Sequence, residues 1–172
     1  MTEQSAAATI PSDWLNDGTD YQQCFVCGGR NPIGLHVHYR QEGDRIVTEF
    51  TGGPQHQGFP GVVHGGLIST LLDETMGRTP LVSRTWVMTG RLEVRYRQPV
   101  PTGQRLTISA WLTRSRKSAF ESRGEVRLDD GTLLADARGL FIKAPEDIIK
   151  QAADAHPELG DYFNQGFFRG DG

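Results

Sequence analysis

The clearest hydrophobic pattern in the chain lies between residues 65 and 77. Apolar positions recur there at i, i+1, i+4, i+5 and i+8, which is the spacing of one broad helical face. A narrower stripe of small residues carries a single carboxylate. The pattern predicts a helix that buries one side and leaves this carboxylate where a second backbone or a ligand can approach. The apolar face is Leu67, Ile68, Leu71, Leu72 and Thr75, and the small stripe is Gly66, Thr70, Asp73 and Gly77.

Strand-like alternation appears on both sides of this helix. Before it, alternation from Leu35 and a turn at 42–44 predict a hairpin that ends at Phe50. The segment 52–63 is rich in glycine and proline and predicts an irregular loop. After the helix come four strand-like stretches, and Asp129-Asp130-Gly131 is a strong hairpin signal between the last two. These stretches are 85–98, 104–113, 119–128 and 132–142.

This order of elements indicates one α+β domain. One helix cannot cover both faces of the sheet. We therefore expect an antiparallel sheet of about six strands wrapped around one long central helix, with the other face free for self-association. This is the layout of the hotdog fold. The domain is predicted to span 21–144, between an N-terminal tail (1–20) and a C-terminal helical tail (145–172).

Composition and charge narrow the classes of partner. The chain has 172 residues, which suits one domain with a normal core. Its net charge of −3 provides no global basic field, so nucleic-acid binding is not expected. No apolar run approaches the roughly 18 residues of a membrane span, and the first residues lack the layout of a signal peptide. We therefore expect a cytoplasmic protein without membrane or nucleic-acid partners.

Three motifs occur in the order that is typical of one enzyme family. The first is Cys-x-x-Cys-Gly-x-x-Asn-Pro-x-Gly-Leu over 24–35, and the second is Gly-Val-Val-His-Gly-Gly over 61–66, with Asp73 nine residues after the histidine. The third is a strand with a Pro-x-Pro-x-Gly turn over 92–103. Together they resemble the PaaI-like (phenylacetyl-CoA-pathway) hotdog acyl-CoA thioesterases of the 4-hydroxybenzoyl-CoA thioesterase superfamily. The resemblance covers 24–143 and implies hydrolysis of an acyl-CoA thioester to a carboxylic acid and free CoA, without metal or other cofactor.

The resemblance and the chemistry together assign roles at the start of the helix. Unpaired N–H groups at a helix N-terminus stabilise a carbonyl oxygen as it becomes an oxyanion, and we assign this role first to Gly65 and second to Gly66. His64 is expected at the helix cap, where it orients the loop or the thioester oxygen. The resemblance marks Asp73 as catalytic, as nucleophile or as general base. The Gly65 amide and Asp73 are expected to converge on one acyl carbon.

Two further positions bear on this site. Thr89 matches a position where related thioesterases hold the attacking water, and Gly90 is expected to form a bulge that turns Thr89 inward. Many relatives carry Asn or Gln six residues before the histidine, aimed at the thioester. This chain has Gly58 there, and Gln57 or His56 is the expected substitute.

Basic residues are expected along the path of CoA, because CoA carries phosphates. The resemblance places CoA contacts at a predicted hairpin formed by Arg114, Arg116, Lys117 and Ser118. A second candidate set on one strand consists of Arg91, Arg95 and Arg97. The acyl pocket is expected to be shaped by Phe59, Val63, Met76 and Trp86.

Alternatives stay open for the cysteines and for the function. Cys24 and Cys27 supply two possible zinc ligands, and His36 and His38 would complete a set of four at a nonstandard spacing. A redox role of the two thiols is the other alternative, and the favoured interpretation is a turn with small buried thiols. The function could instead be hydration or dehydration of an enoyl or hydroxyacyl thioester, which needs a histidine near an acid on the helix. A non-catalytic acyl-CoA binding module is the third possibility.

Assembly follows from the expected fold. A hotdog sheet leaves an edge and a face exposed, and the family pairs them so that sites form between subunits. We expect a homodimer, further assembled into a tetramer or hexamer. Asp73 and Thr89 are expected to meet across the dimer interface, each from a different subunit.

Overall fold

The computed structural model describes residues 9–10, 23–83 and 85–155. In these ranges one antiparallel sheet holds β1 (Tyr39–Glu42), β2 (Arg45–Thr51), β5 (Val87–Tyr96), β6 (Arg105–Ser115), β7 (Ala119–Leu128) and β8 (Leu133–Lys143). A small second sheet pairs β3 (Gln57–Phe59) with β4 (Val62–Val63). The helices are α1 (Gly65–Gly77) and α2 (Glu146–Ala155), and 3-10 turns occupy Pro54–His56 and Thr79–Ser83.

The strand order of the large sheet is β1-β2-β6-β7-β8-β5, so β1 and β5 are its edges. Helix α1 packs on one face of this sheet, against β2, β5, β6, β7 and β8. The predicted hotdog arrangement is thereby confirmed. Among the described helices, none has the length and apolar character needed to cross a membrane.

The apolar face of α1 forms the centre of the core. The buried residues of the helix are Ile68, Leu71, Leu72, Thr75 and Met76. Leu67, which the pattern placed on the same face, is only partly buried at its edge. Each fully buried aliphatic side chain contributes about 1.5–3 kcal/mol, so this face anchors the helix firmly to the sheet.

A glycine of β7 lets α1 lie close to the sheet. A Cβ atom at Gly124 would lie 3.0 Å from Leu72 Cδ2 and 3.1 Å from Met76 Cγ, which is tighter than most Cβ contacts. Gly124 therefore stays small for Leu72 and Met76 to occupy their places. Gly139 of β8 makes room for Phe141 instead, because a Cβ atom there would lie 2.9 Å from Phe141 Cζ.

Two predicted boundaries are corrected by the structure. The strand predicted from Leu35 begins only at Tyr39, because His36 has a left-handed φ of 51° and interrupts the extended backbone. Leu35 and Val37 instead donate their N–H groups to carbonyls of the 24–27 loop, at 2.8 and 3.0 Å. The second correction concerns 52–63, which was expected to be irregular and contains a 3-10 turn and the β3–β4 pair.

The described parts of the two predicted tails have defined structure. Ile10 is buried in the core and its N–H donates to Gln41 Oε1 at 2.8 Å, so at this point the N-terminal tail is attached to the domain. Helix α2 forms the start of the predicted C-terminal helical tail. The rest of both tail predictions lies outside the described residues.

Candidate active site

The structure joins Asp73 and Thr89 within one protomer. Asp73 lies on the third turn of α1, and Thr89 Oγ1 donates a hydrogen bond to its Oδ1 at 2.8 Å. The expectation that these two residues come from different subunits is therefore wrong. The reason is topological, because β5 of the same chain runs alongside α1.

The predicted bulge at Gly90 is present. The pairing of β5 with β8 shifts register between Thr89 and Arg91. A Cβ atom at Gly90 would lie 3.0 Å from Ile142 Cγ1 and 3.4 Å from the Leu140 carbonyl oxygen, so the backbone approaches β8 closely here. The extra residue allows Thr89 to point at Asp73.

The Asp73 carboxyl is half-buried, and this burial raises its pKa above the ordinary value for aspartate. The hydrogen bond from Thr89 acts in the opposite direction, because it stabilises the charged form. A carboxylate with this balance is a better base than an exposed aspartate.

Asp73 and Thr89 line a cavity of about 240 Å³. Its apolar wall is formed by Leu81, Trp86 and Phe141, and its polar wall by residues of the 24–27 loop and of α1. Of the four residues expected to shape an acyl pocket, only Trp86 lines this cavity. Two of the others, Val63 and Met76, are buried in the core, and Phe59 is 73% exposed.

His64 caps α1 with its own side chain. Its Nδ1 accepts the Gly66 N–H at 2.9 Å, so this amide already has a partner and is a poor second choice for the oxyanion. The Gly65 N–H has no hydrogen-bond partner among the described residues. The Tyr96 hydroxyl donates to the Gly65 carbonyl oxygen at 2.7 Å and lies 2.5 Å from the Ser69 hydroxyl. Sequence patterning identified Tyr96 only as a strand residue, yet it fixes the position of Gly65.

The Gly65 amide and Asp73 do not converge within one protomer. Eight residues of one straight helix separate them, and at 1.5 Å per residue this is about 12 Å along the axis. The expectation that both reach one acyl carbon is wrong for a single chain. His64 lies one residue further away and is held by its capping bond, so no histidine accompanies the acid on α1 as a hydratase would require.

Gly58 leaves room for the His64 side chain, and this explains why a glycine occupies the position where relatives carry an amide. A Cβ atom at Gly58 would lie 2.8 Å from His64 Cδ2, so the glycine is needed for β3 to pass this ring. The proposed substitutes for the missing amide side chain are engaged in their own loop. Gln57 Oε1 and His56 Nδ1 each accept a backbone N–H, at 3.2 and 3.0 Å.

The basic hairpin lies at the same end of the sheet as Thr89. Thr89 is paired with Phe141, which is paired with Phe120 close to the β6–β7 turn. Two strand spacings, about 10 Å, therefore separate Thr89 from this turn. The hairpin residues are Arg114, Arg116, Lys117 and Ser118.

The members of the second arginine set have different neighbours. Arg97 is paired with Asp136 at 2.5 Å. Arg91 lies with Arg114 in a depression of about 520 Å³ that is lined by residues of β5, β6, β7 and β8. Arg114 itself lies 3.7 Å from Glu121. Within this region the turn residues remain the better candidates for phosphate contacts.

The 24–27 loop contributes a cluster that sequence reasoning only partly foresaw. The Cys24 and Cys27 sulfur atoms and a Glu74 carboxylate oxygen lie within 4.8 Å of one another. Arg78 donates to Glu74 at 2.9 Å and to Cys27 at 3.0 Å. The spacing of Glu74 and Arg78, i and i+4 on one helix, was the available signal for this pair.

The histidines of the alternative zinc set are elsewhere. His36 and His38 line a separate depression with Glu49 and His56. In the described ranges the group of possible metal ligands contains Cys24, Cys27 and Glu74 but no histidine. The alternative of a four-ligand set is therefore wrong in its histidine half.

Comparison with known proteins agrees with the fold and the motif. The sequence profile of the thioesterase superfamily matches residues 60–135. Acyl-coenzyme A thioesterase THEM4 of Bos taurus is 33% identical over 124 residues, which cover 70% of this chain and 51% of THEM4. Residues 60–135 therefore match the thioesterase superfamily, and they lie within the hotdog fold described above. The chain spans about half the length of the curated relatives it matches.

Solved structures show the same fold over most of the chain. A crystal structure of a thioesterase superfamily protein has a TM-score of 0.67 and 27% identity, covering 80% of this chain and 72% of that one. The E. coli PaaI protein from the phenylacetic acid degradation operon has a TM-score of 0.61 and 17% identity, covering 64% of this chain and 81% of PaaI. The second similarity supports the fold.

Proposed function

We propose that this protein hydrolyses acyl-CoA thioesters to a carboxylic acid and free CoA. The observation that carries the proposal is the hydrogen bond between Thr89 and Asp73 in the wall of a partly apolar cavity. The Thr89 hydroxyl engages Oδ1 and leaves Oδ2 for a water molecule or for the acyl carbon. Asp73 then acts as general base or as nucleophile. The name of the THEM4 relatives, acyl-coenzyme A thioesterase, supports this class of reaction.

The oxyanion donor is proposed to come from a second copy of the chain. Strand β5 is an edge of the sheet, and an unpaired edge of ten residues is a template for another strand. Thr89 lies near one end of β5, and Tyr96, at the other end, binds the Gly65 carbonyl oxygen. Antiparallel pairing of two β5 strands brings the Gly65 end of one copy to the Asp73 end of the other.

This arrangement resolves the separation of about 12 Å along α1. Each of the two sites in the dimer contains Asp73 and Thr89 from one subunit and the Gly65 N–H of the partner subunit. CoA is proposed to run along the basic β6–β7 turn at the Thr89 end of the sheet, where Arg116, Lys117 and Ser118 meet its phosphates. Further assembly of dimers into a tetramer or hexamer would use the open face of the sheet.

The decisive experiment is a hydrolysis screen over aryl, short, medium and long acyl-CoA esters. Free CoA is separated by chromatography, since thiol reagents would also label the two cysteines of the chain. Asp73→Asn is expected to lower kcat about 10²–10⁴-fold. Asp154→Asn, at an exposed aspartate of α2, is the matched control and retains activity.

Four outcomes would contradict the proposal. If no ester is hydrolysed, or if Asp73→Asn and Asp154→Asn behave alike, hydrolysis at this site is refuted. Tight binding of an acyl-CoA without turnover would identify a binding module. Addition of water across an enoyl double bond would identify a hydratase.

A further inference from the structure

The 24–27 loop places two thiols side by side in the wall of the cavity. The Gly28 N–H donates to the Cys24 carbonyl oxygen at 3.0 Å, which closes the loop as a tight turn. The two sulfur atoms lie within 4.8 Å of each other, and both residues are partly accessible. These are the only two cysteines of the 172-residue chain. A turn of this kind brings its first and last side chains close enough to react with each other.

The two thiols differ in their surroundings. Cys24 Sγ accepts the Val26 N–H at 3.4 Å, whereas Cys27 Sγ accepts from the Arg78 guanidinium at 3.0 Å. Glu74 Oε1 lies 4.0 Å from each sulfur. The neighbouring Cys27 thiol, the Val26 N–H and the Arg78 charge lower the pKa of Cys24, and the neighbouring Cys24 and burial raise the pKa of Cys27. Cys24 is therefore the more acidic of the two thiols.

The positive charge of Arg78 favours a site of free thiols over a metal site. Its guanidinium donates to Cys27 Sγ at 3.0 Å and to Glu74 Oε1 at 2.9 Å. A guanidinium keeps its positive charge at any ordinary pH. A cation placed among the two thiols and Glu74 would meet this charge and would have to displace it from two of the three ligands. The positive charge of Arg78 instead favours a negative charge on sulfur.

We propose that Cys24 and Cys27 form a redox-active dithiol that reduces a peroxide and closes to a disulfide. The Cys24 thiolate attacks one peroxide oxygen, the O–O bond breaks, and Cys24 becomes a sulfenic acid while the leaving oxygen takes up a proton. The Cys27 sulfur then attacks the Cys24 sulfur, the S–O bond breaks, and water leaves. For hydrogen peroxide, two thiols are oxidised by two electrons and two water molecules are formed. This reaction is independent of the proposed hydrolysis of thioesters.

Mass spectrometry tests the product directly. Cleavage after Arg30 releases the segment 1–30 with both cysteines. The reduced protein is treated with hydrogen peroxide, and remaining thiols are blocked with N-ethylmaleimide. The expected product is a segment two hydrogens lighter that carries no maleimide and regains two thiols with dithiothreitol. A segment that still carries two maleimides, or only sulfinic and sulfonic acids, overturns the proposal.

Serine variants test the order of the two steps. Cys27→Ser is expected to stop at the Cys24 sulfenic acid, which dimedone traps. Cys24→Ser is expected to react with peroxide more slowly, since it lacks the more acidic of the two thiols. Equal rates for the two variants would contradict the asymmetry.

A measurement on the unaltered protein removes any dependence on how the variants fold. At pH 6 iodoacetamide is expected to modify Cys24 much faster in the folded protein than in urea. Equal rates in the two states overturn the proposal. One zinc ion per chain in the purified protein, protecting both thiols from alkylation, would overturn it in favour of a metal site.

Discussion

One hydrogen bond governs the ionisation of the acidic side chain on α1. Burial favours the neutral form of Asp73, and the Thr89 hydroxyl favours the charged form. The proposed hydrolysis requires the charged form, either to attack or to accept a proton from water. The threonine thus has two effects, since it orients the carboxylate and widens the pH range in which it is ionised.

Removal of this hydroxyl is expected to move the acidic limb of the pH–rate profile. Thr89→Val keeps the shape of the side chain but loses the bond that lowers the pKa of Asp73, so the limb shifts to higher pH. The loss of one hydrogen bond to a charged group also lowers kcat at neutral pH about tenfold. Thr89→Ser keeps the hydroxyl and should leave the limb where it is. A profile that does not move in the valine variant would show that the bond is absent in solution.

The same pKa shift has a consequence for stability. The pKa of Asp73 is higher in the folded protein than in the unfolded chain, so the folded state binds more protons between the two values and stability falls as pH rises through that window. Asp73→Asn removes this cost. We expect the variant to have a Tm about 2 °C higher at neutral pH, a small gain because the side chain is only half-buried.

The gain should shrink as pH is lowered toward the ordinary pKa of aspartate, where wild type and variant carry the same charge. Scanning calorimetry between pH 4 and 8 measures both curves. A variant less stable than wild type at neutral pH would mean that the carboxylate has a stabilising partner besides Thr89.

Most residues of the candidate site were predicted from the sequence, but their contacts were not. Asp73 and Thr89 were predicted as a pair because motif spacing identifies both. That they share one chain depends on β5 running beside α1, a long-range contact that no local pattern encodes. The sequence did not identify Arg78, because its role depends on hydrogen bonds to Glu74 and to Cys27, about fifty residues earlier in the chain.

At the scale of elements, the start of α1 combines a cap with an unoccupied amide. His64 satisfies the Gly66 N–H and leaves that of Gly65 free among the described residues. His64 has an extended backbone with ψ 131°, and Gly65 is the first residue of the helix. A proline is accommodated at such a position because its fixed φ suits the first turn and its missing N–H is not needed by the helix.

This geometry permits a clean test of the oxyanion donor. Gly65→Pro removes the N–H and is expected to lower kcat roughly 10²–10³-fold while the Tm changes little. Gly65→Ala keeps the N–H, and its Cβ would lie 3.5 Å from the Tyr96 ring, an ordinary contact. The alanine variant should therefore retain most of its activity. Similar activities in the two variants would exclude this amide from the reaction.

Regular elements followed the sequence pattern well, and irregular ones did not. The face of α1 and the four strands after it were predicted from periodicity, because burial on one side imposes it. The short β3–β4 pair and the late start of β1 depend on single backbone conformations such as that of His36. Hydrophobic alternation through Leu35 and Val37 hid this interruption, since both side chains still pack toward the core.

At the scale of the whole molecule, the proposed site shared between two subunits predicts complementation. In that dimer, Asp73→Asn and Gly65→Pro would each inactivate both sites. In a mixed dimer, one site receives both defects and the other receives neither. After exchange of subunits in equal amounts, activity is expected to recover to about a quarter of wild type, because half of the dimers are mixed and each has one intact site.

A steady-state assay before and after exchange measures the recovery, and a mixture of Asp73→Asn with Thr89→Val serves as control. These two residues lie in the same half of the site, so that mixture should gain nothing beyond the residual activity of its parents. An absence of recovery in the first mixture, with subunit exchange verified by native mass spectrometry, would place the whole site in one chain.

The room that Gly124 leaves for Leu72 and Met76 has a consequence for specificity. Gly124 sets how deeply α1 rests on the sheet, and Asp73 lies between those two residues on the same helix. A methyl group added at Gly124 would push the helix outward and widen the space in front of the carboxylate. Positions that never touch a substrate can thus tune which acyl groups are accepted, and a search confined to the residues around the ligand would overlook them.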